Sequence, residues 1–100
     1  MNEATLRPYL DAHLDALTRG DVDAISEDFI AELRPHVPAV VASLPTPILS
    51  AENISVEIDP EKAVVFNRLT APNNKVITMR SEWIVSDGRP RILNGAPVEN

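Results

Sequence analysis

Leu6–Phe29 reads LRPYLDAHLDALTRGDVDAISEDF, and this stretch decides the fold. Leu6, Tyr9, Leu10, His13, Leu14 and Leu17 recur at the spacing of one helical face. Arg7, Asp11, Asp15 and Arg19 occupy another face at i,i+4 intervals, where each pair is worth roughly 0.2–0.5 kcal/mol. Thr5 is placed to cap this helix, and Pro8 falls in a first turn, where its missing N–H costs nothing. Gly20 supplies a left-handed stop. Asp21 then caps a second helix, and Asp23 puts negative charge in its first turn. Val22, Ile25, Phe29, Ile30 and Leu33 carry the apolar stripe onward.

Downstream, Pro35 ends the second helix near Leu33. Pro38 starts a short third helix bearing Val40, Val41 and Leu44, which Pro45 and Pro47 stop. From about Ala51 the period becomes two. Ile54, Val56 and Ile58 alternate with Ser55 and Glu57. Asp59-Pro60-Glu61-Lys62 makes a type I turn, Ala71-Pro72-Asn73-Asn74 a second turn, and Asp87-Gly88 a type I′ hairpin. These punctuate the strands AVVFNRLT, KVITMRSEWIVS and RILNGAPV. The reading is one α+β domain over 1–100, with helices from about 5 to 44 packed on a twisted four-stranded antiparallel meander from about 51 to 97.

Turn lengths set the register, and register sets which side chains share a face. Pairing Ile58 with Ala63, Thr70 with Lys75 and Ser86 with Arg89 puts Val64, Phe66, Arg68, Ile77, Met79, Ser81, Trp83, Ile92 and Asn94 on one face. The other face then holds Ile54, Val56, Ile58, Val65, Asn67, Leu69, Val76, Thr78, Arg80, Glu82, Ile84 and Leu93. Both faces are substantially apolar, and helices can cover only one. The helices are expected on the Phe66–Trp83 face, with a second copy covering the outer face in a twofold homodimer. The alternative is scattered exposed aliphatics on a monomer.

Composition excludes several classes. No apolar run approaches the ~20 residues that cross a bilayer, and the N-terminus is no signal peptide. Cysteine is absent, which removes disulfides, thiolate metal sites and cysteine nucleophiles. The net charge is −6. Through Leu33 eight carboxylates face only Arg7 and Arg19, whereas the remainder is balanced. Phosphate backbones need clustered Lys and Arg, so neither nucleic acid nor membrane is an expected partner, and the expected compartment is cytoplasmic. The only glycines are Gly20, Gly88 and Gly95, so no nucleotide-cradling loop exists, and no serine sits in a nucleophile elbow. No cofactor is expected.

The run LDALTRGDVDAISEDF, a helix ending in Gly-Asp with a second helix at once, resembles the opening of the NTF2-like (SnoaL-like) superfamily, a cystatin-like cone. EWIVSDGRPRIL is similar to that family's closing hairpin. The resemblance implies a reduced cone with a pocket between helices and sheet. The superfamily spans ketosteroid isomerases, polyketide cyclases, epoxide hydrolases and binding proteins, so fold alone does not give function. The isomerases' tyrosine donor position, eight before the Asp of Gly-Asp, is here His13. Their general-base aspartate falls near His36 and Val37, where no acid stands.

His13 reads as a hydrogen-bonded histidine at the core's edge or as a donor or acid/base group lining the cone. Tyr9 packs one turn before it, and Trp83 is a core anchor or a ligand-stacking wall. Phe66, Met79, Arg68, Ser81 and Asn94 complete the candidate ligand-binding set, and no metal site is expected. Two function classes follow. One is a non-catalytic dimeric module that binds a small apolar ligand or a protein partner. The other is a small isomerase- or cyclase-like enzyme using His13.

Overall fold

A computed structural model describes residues 1–98. Three helices, α1 (Glu3–Arg19), α2 (Val22–Glu27) and α3 (Val37–Ala42), pack on one face of an open antiparallel sheet. Its strands β1 (Ser50–Ile58), β2 (Ala63–Ala71), β3 (Lys75–Ser86) and β4 (Arg89–Pro97) lie side by side in chain order. The α+β meander read from the sequence is the observed architecture.

The junction between the first two helices forms as its residues dictate. Gly20 takes φ 66°, and the N–H groups of Gly20 and Asp21 return to the carbonyls of Leu17 and Ala16. Asp21 then accepts from the Ala24 N–H at 3.1 Å. The start of α1 differs from expectation. Asn2, not Thr5, is the cap, and its side chain accepts from the Thr5 N–H at 2.8 Å. The helix thereby begins three residues earlier, and Pro8 lies beyond its first turn.

The second helix is shorter than the apolar stripe implies. It ends at Glu27, because Phe29 leaves the helix to form a parallel bridge with Ile92 at the edge of β4. There the Ile92 N–H donates to the Asp28 carbonyl at 2.6 Å, and the Ile30 N–H donates to the Ile92 carbonyl at 3.0 Å. A 3-10 turn over Ala31–His36 follows and runs through Pro35 into α3. Edge pairing satisfies the Ile30 N–H, which a longer helix would also have satisfied, and the Ile92 N–H on the edge strand, and it covers part of an exposed sheet edge.

Register holds one correction with wide consequences. The first and last hairpins pair as expected, Ile58 with Ala63 and Ser86 with Arg89. Between β2 and β3, however, Ala71 pairs with Lys75, not Thr70. Asn73 and Asn74 both take positive φ, 66° and 58°, which closes the loop in three residues. Asparagine tolerates that conformation better than other residues with a side chain. One residue less in the turn reverses β2 relative to β3.

The helix-facing side therefore carries Val56, Ile58, Ala63, Val65, Asn67 and Leu69 beside Met79, Ser81, Trp83 and Ile92. Val64, Phe66 and Arg68 lie on the outer face. A bulge at Glu82/Trp83 also moves Asn94 outward, opposite Glu82. The expectation of a second copy on the outer face rests on two apolar faces. With this register the outer face mixes Glu52, Glu57, Arg68, Arg80 and Glu82 with Val64, Phe66, Val76 and Ile84. Arg80 and Lys62 both reach Glu82 Oε1 at 3.1 Å, and Asn94 donates to Oε2 at 2.9 Å.

The core lies in two lobes. Leu6, Leu10, Ala63, Val65, Trp83 and Ile92 form one, and Leu14, Leu17, Ile25, Val37, Ile48 and Leu69 the other. Phe29 packs against both. Trp83 in the first lobe is wholly buried. The second is open toward α3, and that opening is the cleft described next.

Candidate functional site

A cleft of about 240 Å³ opens between α3 and the β2–β4 side of the sheet. Val37, Val40 and Val41 supply the α3 wall, while Leu69, Met79 and Ile92 supply the sheet wall. His13, His36, Asn67, Ser81 and Asn94 are the polar residues along it. Among the described residues no carboxylate, lysine or arginine lines it. The helical period brings His13 there, because it shares the buried stripe of α1 with Leu10, Leu14 and Leu17.

His13 is held in place by three groups. Its Nδ1 donates to Asp28 Oδ2 at 2.9 Å. Trp83 and Phe29 meet its ring edge to face, with centroids 5.6 Å and 6.4 Å away. Asp28 is the C-cap residue of α2 and is 5 % exposed. Its second oxygen accepts from the Arg89 guanidinium at 2.5 Å. Arg89 in turn lies over the Tyr9 ring, 4.6 Å from the centroid. A buried carboxylate is costly unless paired and hydrogen-bonded, and here both oxygens are engaged by donors from α1 and β4.

This arrangement sets the imidazole's chemistry. With Nδ1–H committed to Asp28, Nε2 carries the free lone pair of the neutral ring. Nε2 has no hydrogen-bond partner among the described residues, yet no buried side-chain nitrogen is left unsatisfied. It therefore keeps some exposure, on a residue that borders the cleft. His36 is exposed at the cleft's rim, on the turn before α3.

Four residues read from the sequence as ligand-binding border the cleft: His13, Met79, Ser81 and Asn94. The Ser81 hydroxyl is already engaged, accepting from Trp83 Nε1 at 3.0 Å, and the Asn94 amide turns outward to Glu82. Trp83 is the anchor behind His13 rather than a wall. Tyr9 lies under Arg89, away from the cleft. Phe66 and Arg68 are on the opposite face of the sheet, and Arg68 pairs there with Glu52 at 3.0 Å.

Asp28 and Arg89 are the residues that sequence reasoning misses. Asp28 lies between Ile25 and Phe29 on the buried stripe, an ionisable residue where the pattern is otherwise apolar, and that was the available signal. Arg89 carries none, because 61 residues separate it from Asp28.

No family model matches this chain, and no curated protein matches it. Among solved structures, it is similar to the solution structure of a SEC-C motif containing protein from Rhodopseudomonas palustris. The two share 18 % identity and a TM-score of 0.63 over 85 % of this chain and 72 % of the other. At that identity the likeness concerns the fold alone. The resemblance to the NTF2-like superfamily is corrected by this match. Gly-Asp at a helix break and Asp-Gly in a hairpin arise from generic turn chemistry and do not single out a family.

Proposed function

We propose that this chain is a binding module for a small, mostly apolar ligand, seated in the cleft beside α3 with one polar atom against His13 Nε2. The observation that carries this reading is the Asp28-held imidazole, its Nε2 without a hydrogen-bond partner among the described residues, in a lining made mostly of apolar side chains. Ligand sites are typically apolar with a few placed polar groups. The volume of about 240 Å³ exceeds the ~150 Å³ of an apolar cavity that accepts benzene, so a one- or two-ring molecule fits.

Paired ligand probes test this. para-Xylene and para-cresol differ by one hydroxyl, and calorimetric titration gives both affinities. A net hydrogen bond is worth about 1 kcal/mol, or roughly five-fold. para-Cresol is expected to bind at least as tightly as para-xylene, and His13→Phe is expected to lower that ratio about five-fold. If neither compound binds, or the ratio does not respond to His13, the reading fails.

A second reading is an acid–base enzyme acting at the same cleft. It is supported by the same pair, since a carboxylate-held imidazole with a free nitrogen also serves as a general base. Its signature is His13-dependent exchange of the α-hydrogens of a cyclic ketone, such as 2-tetralone, with solvent deuterium.

A further inference from the structure

We infer that the ligand of this cleft is an apolar carboxylic acid, bound as its carboxylate together with a proton on His13. This rests on the cleft being a ligand site, as proposed above, and adds the ligand's charge.

The argument is one of charge complementarity. The chain has two histidines, and both line this cleft, His13 within and His36 at the rim. No carboxylate lines it among the described residues. Asp28, the nearest acid to His13, has both oxygens occupied and cannot serve a ligand. An amine would therefore enter with its charge unpaired, which is costly in an apolar setting. A carboxylate meets groups able to become its partner.

The charges around His13 balance while its ring is neutral. From the end of α2, Asp28 is offset by Arg89 of β4, whose guanidinium is 2.5 Å away. Glu27 is offset by Arg91, 3.8 Å away, which also donates to the Glu27 carbonyl. From α1, Tyr9 lies under the Arg89 guanidinium. The sheet contributes uncharged Asn67, Ser81 and Trp83, and the 3-10 turn contributes His36. A proton on His13 therefore adds a positive charge that nothing nearby cancels. It also turns Nε2 from acceptor to donor, aimed at the ligand. Histidine is the side chain whose charge changes near neutrality, so anion and proton can enter together. The acidic surface of α1 and α2 opposes an anion only at long range, screened beyond about 8 Å at physiological ionic strength.

The test uses the full chain and three congruent ligands: para-toluate, para-cresol and para-xylene. Calorimetry at pH 6 and pH 8, in two buffers of different ionisation heat, reads both affinity and proton uptake. para-Toluate is expected to bind more tightly than para-cresol at pH 6, to take up close to one proton near pH 7, and to weaken roughly ten-fold by pH 8. para-Xylene is expected to show neither effect. His13→Phe should abolish the proton uptake, and His36→Gln should retain it. Should His13→Phe not fold, the His13 ring resonances of the unmodified protein decide the matter: para-toluate should shift them as protonation does, and para-xylene should not. If para-toluate binds without proton uptake, or more weakly than para-cresol at pH 6, the acid is refuted while the ligand site stands. If none of the three binds, both fall.

Discussion

His13 Nδ1 and Asp28 Oδ2 lie 2.9 Å apart, with both side chains buried and the two residues fifteen positions apart in the chain. Two helices, a tight Gly-Asp junction and the β4 edge all have to be in place for that hydrogen bond to form. It is therefore a readout of the tertiary structure as well as the anchor of the cleft.

Because Asp28 joins His13 to Arg89, truncating it strands two donors. Asp28→Ala is expected to cost about 2–4 kcal/mol in denaturant unfolding, toward the lower end because Arg89 retains some solvent contact. Asp28→Asn combined with Arg89→Gln should be less damaging than the sum of the single changes, since the two share one interaction. Strict additivity would mean that the ion pair contributes nothing.

Gly20 offers a clean test of backbone conformation. A Cβ at this position meets nothing within 4 Å, so the cost of Gly20→Ala is conformational alone. With φ at 66° that cost should be about 1–2 kcal/mol, seen as a lowered unfolding midpoint. Gly20→Asn should lose distinctly less. Equal losses for Ala and Asn would contradict the left-handed assignment.

The three-residue loop between β2 and β3 is tested the same way. Asn73→Val puts a branched side chain at φ 66° and should cost about 1–2 kcal/mol, whereas Asn73→Gly should be nearly neutral. If Asn73→Val were harmless, the four-residue turn, with its opposite strand face, would be the better account.

Glu82 predicts a pH dependence. Hydrogen bonds from Asn94, Lys62 and Arg80 hold its carboxyl down to about 2, below the usual value of 4.5. A depressed carboxyl stabilises the fold fully above the unfolded value and loses that contribution as pH falls through the folded one. The stability advantage of the wild type over Glu82→Gln should therefore be constant above about pH 5 and shrink between pH 4.5 and 2. Urea unfolding at pH 6, 4 and 2.5 measures it. A gap that widened on acidification would overturn the assignment.

Local chemistry determined the elements of this protein. Gly20-Asp21, Asp59-Pro60 and Asp87-Gly88 act through φ preference and side-chain capping within a few residues, so they are legible without a partner. The switch from a period near 3.6 to one of two, near Ala51, is equally local. Those signals suffice for helices on a meander, and they also place His13 on a buried face. Tertiary structure decided the rest. Pro72-Asn73-Asn74 is compatible with either loop length, and only packing of Val65 and Leu69 against the helices selects the shorter one, exchanging Phe66 and Arg68 for Val65 and Asn67 on the cleft side. Asp28 and Arg89 have no sequence relationship, and their pairing exists because the chain after α2 docks on the edge of β4. A hydrogen bond between distant residues has no local energetic signature. The histidine was therefore visible in the sequence, while the carboxylate that orients it was not.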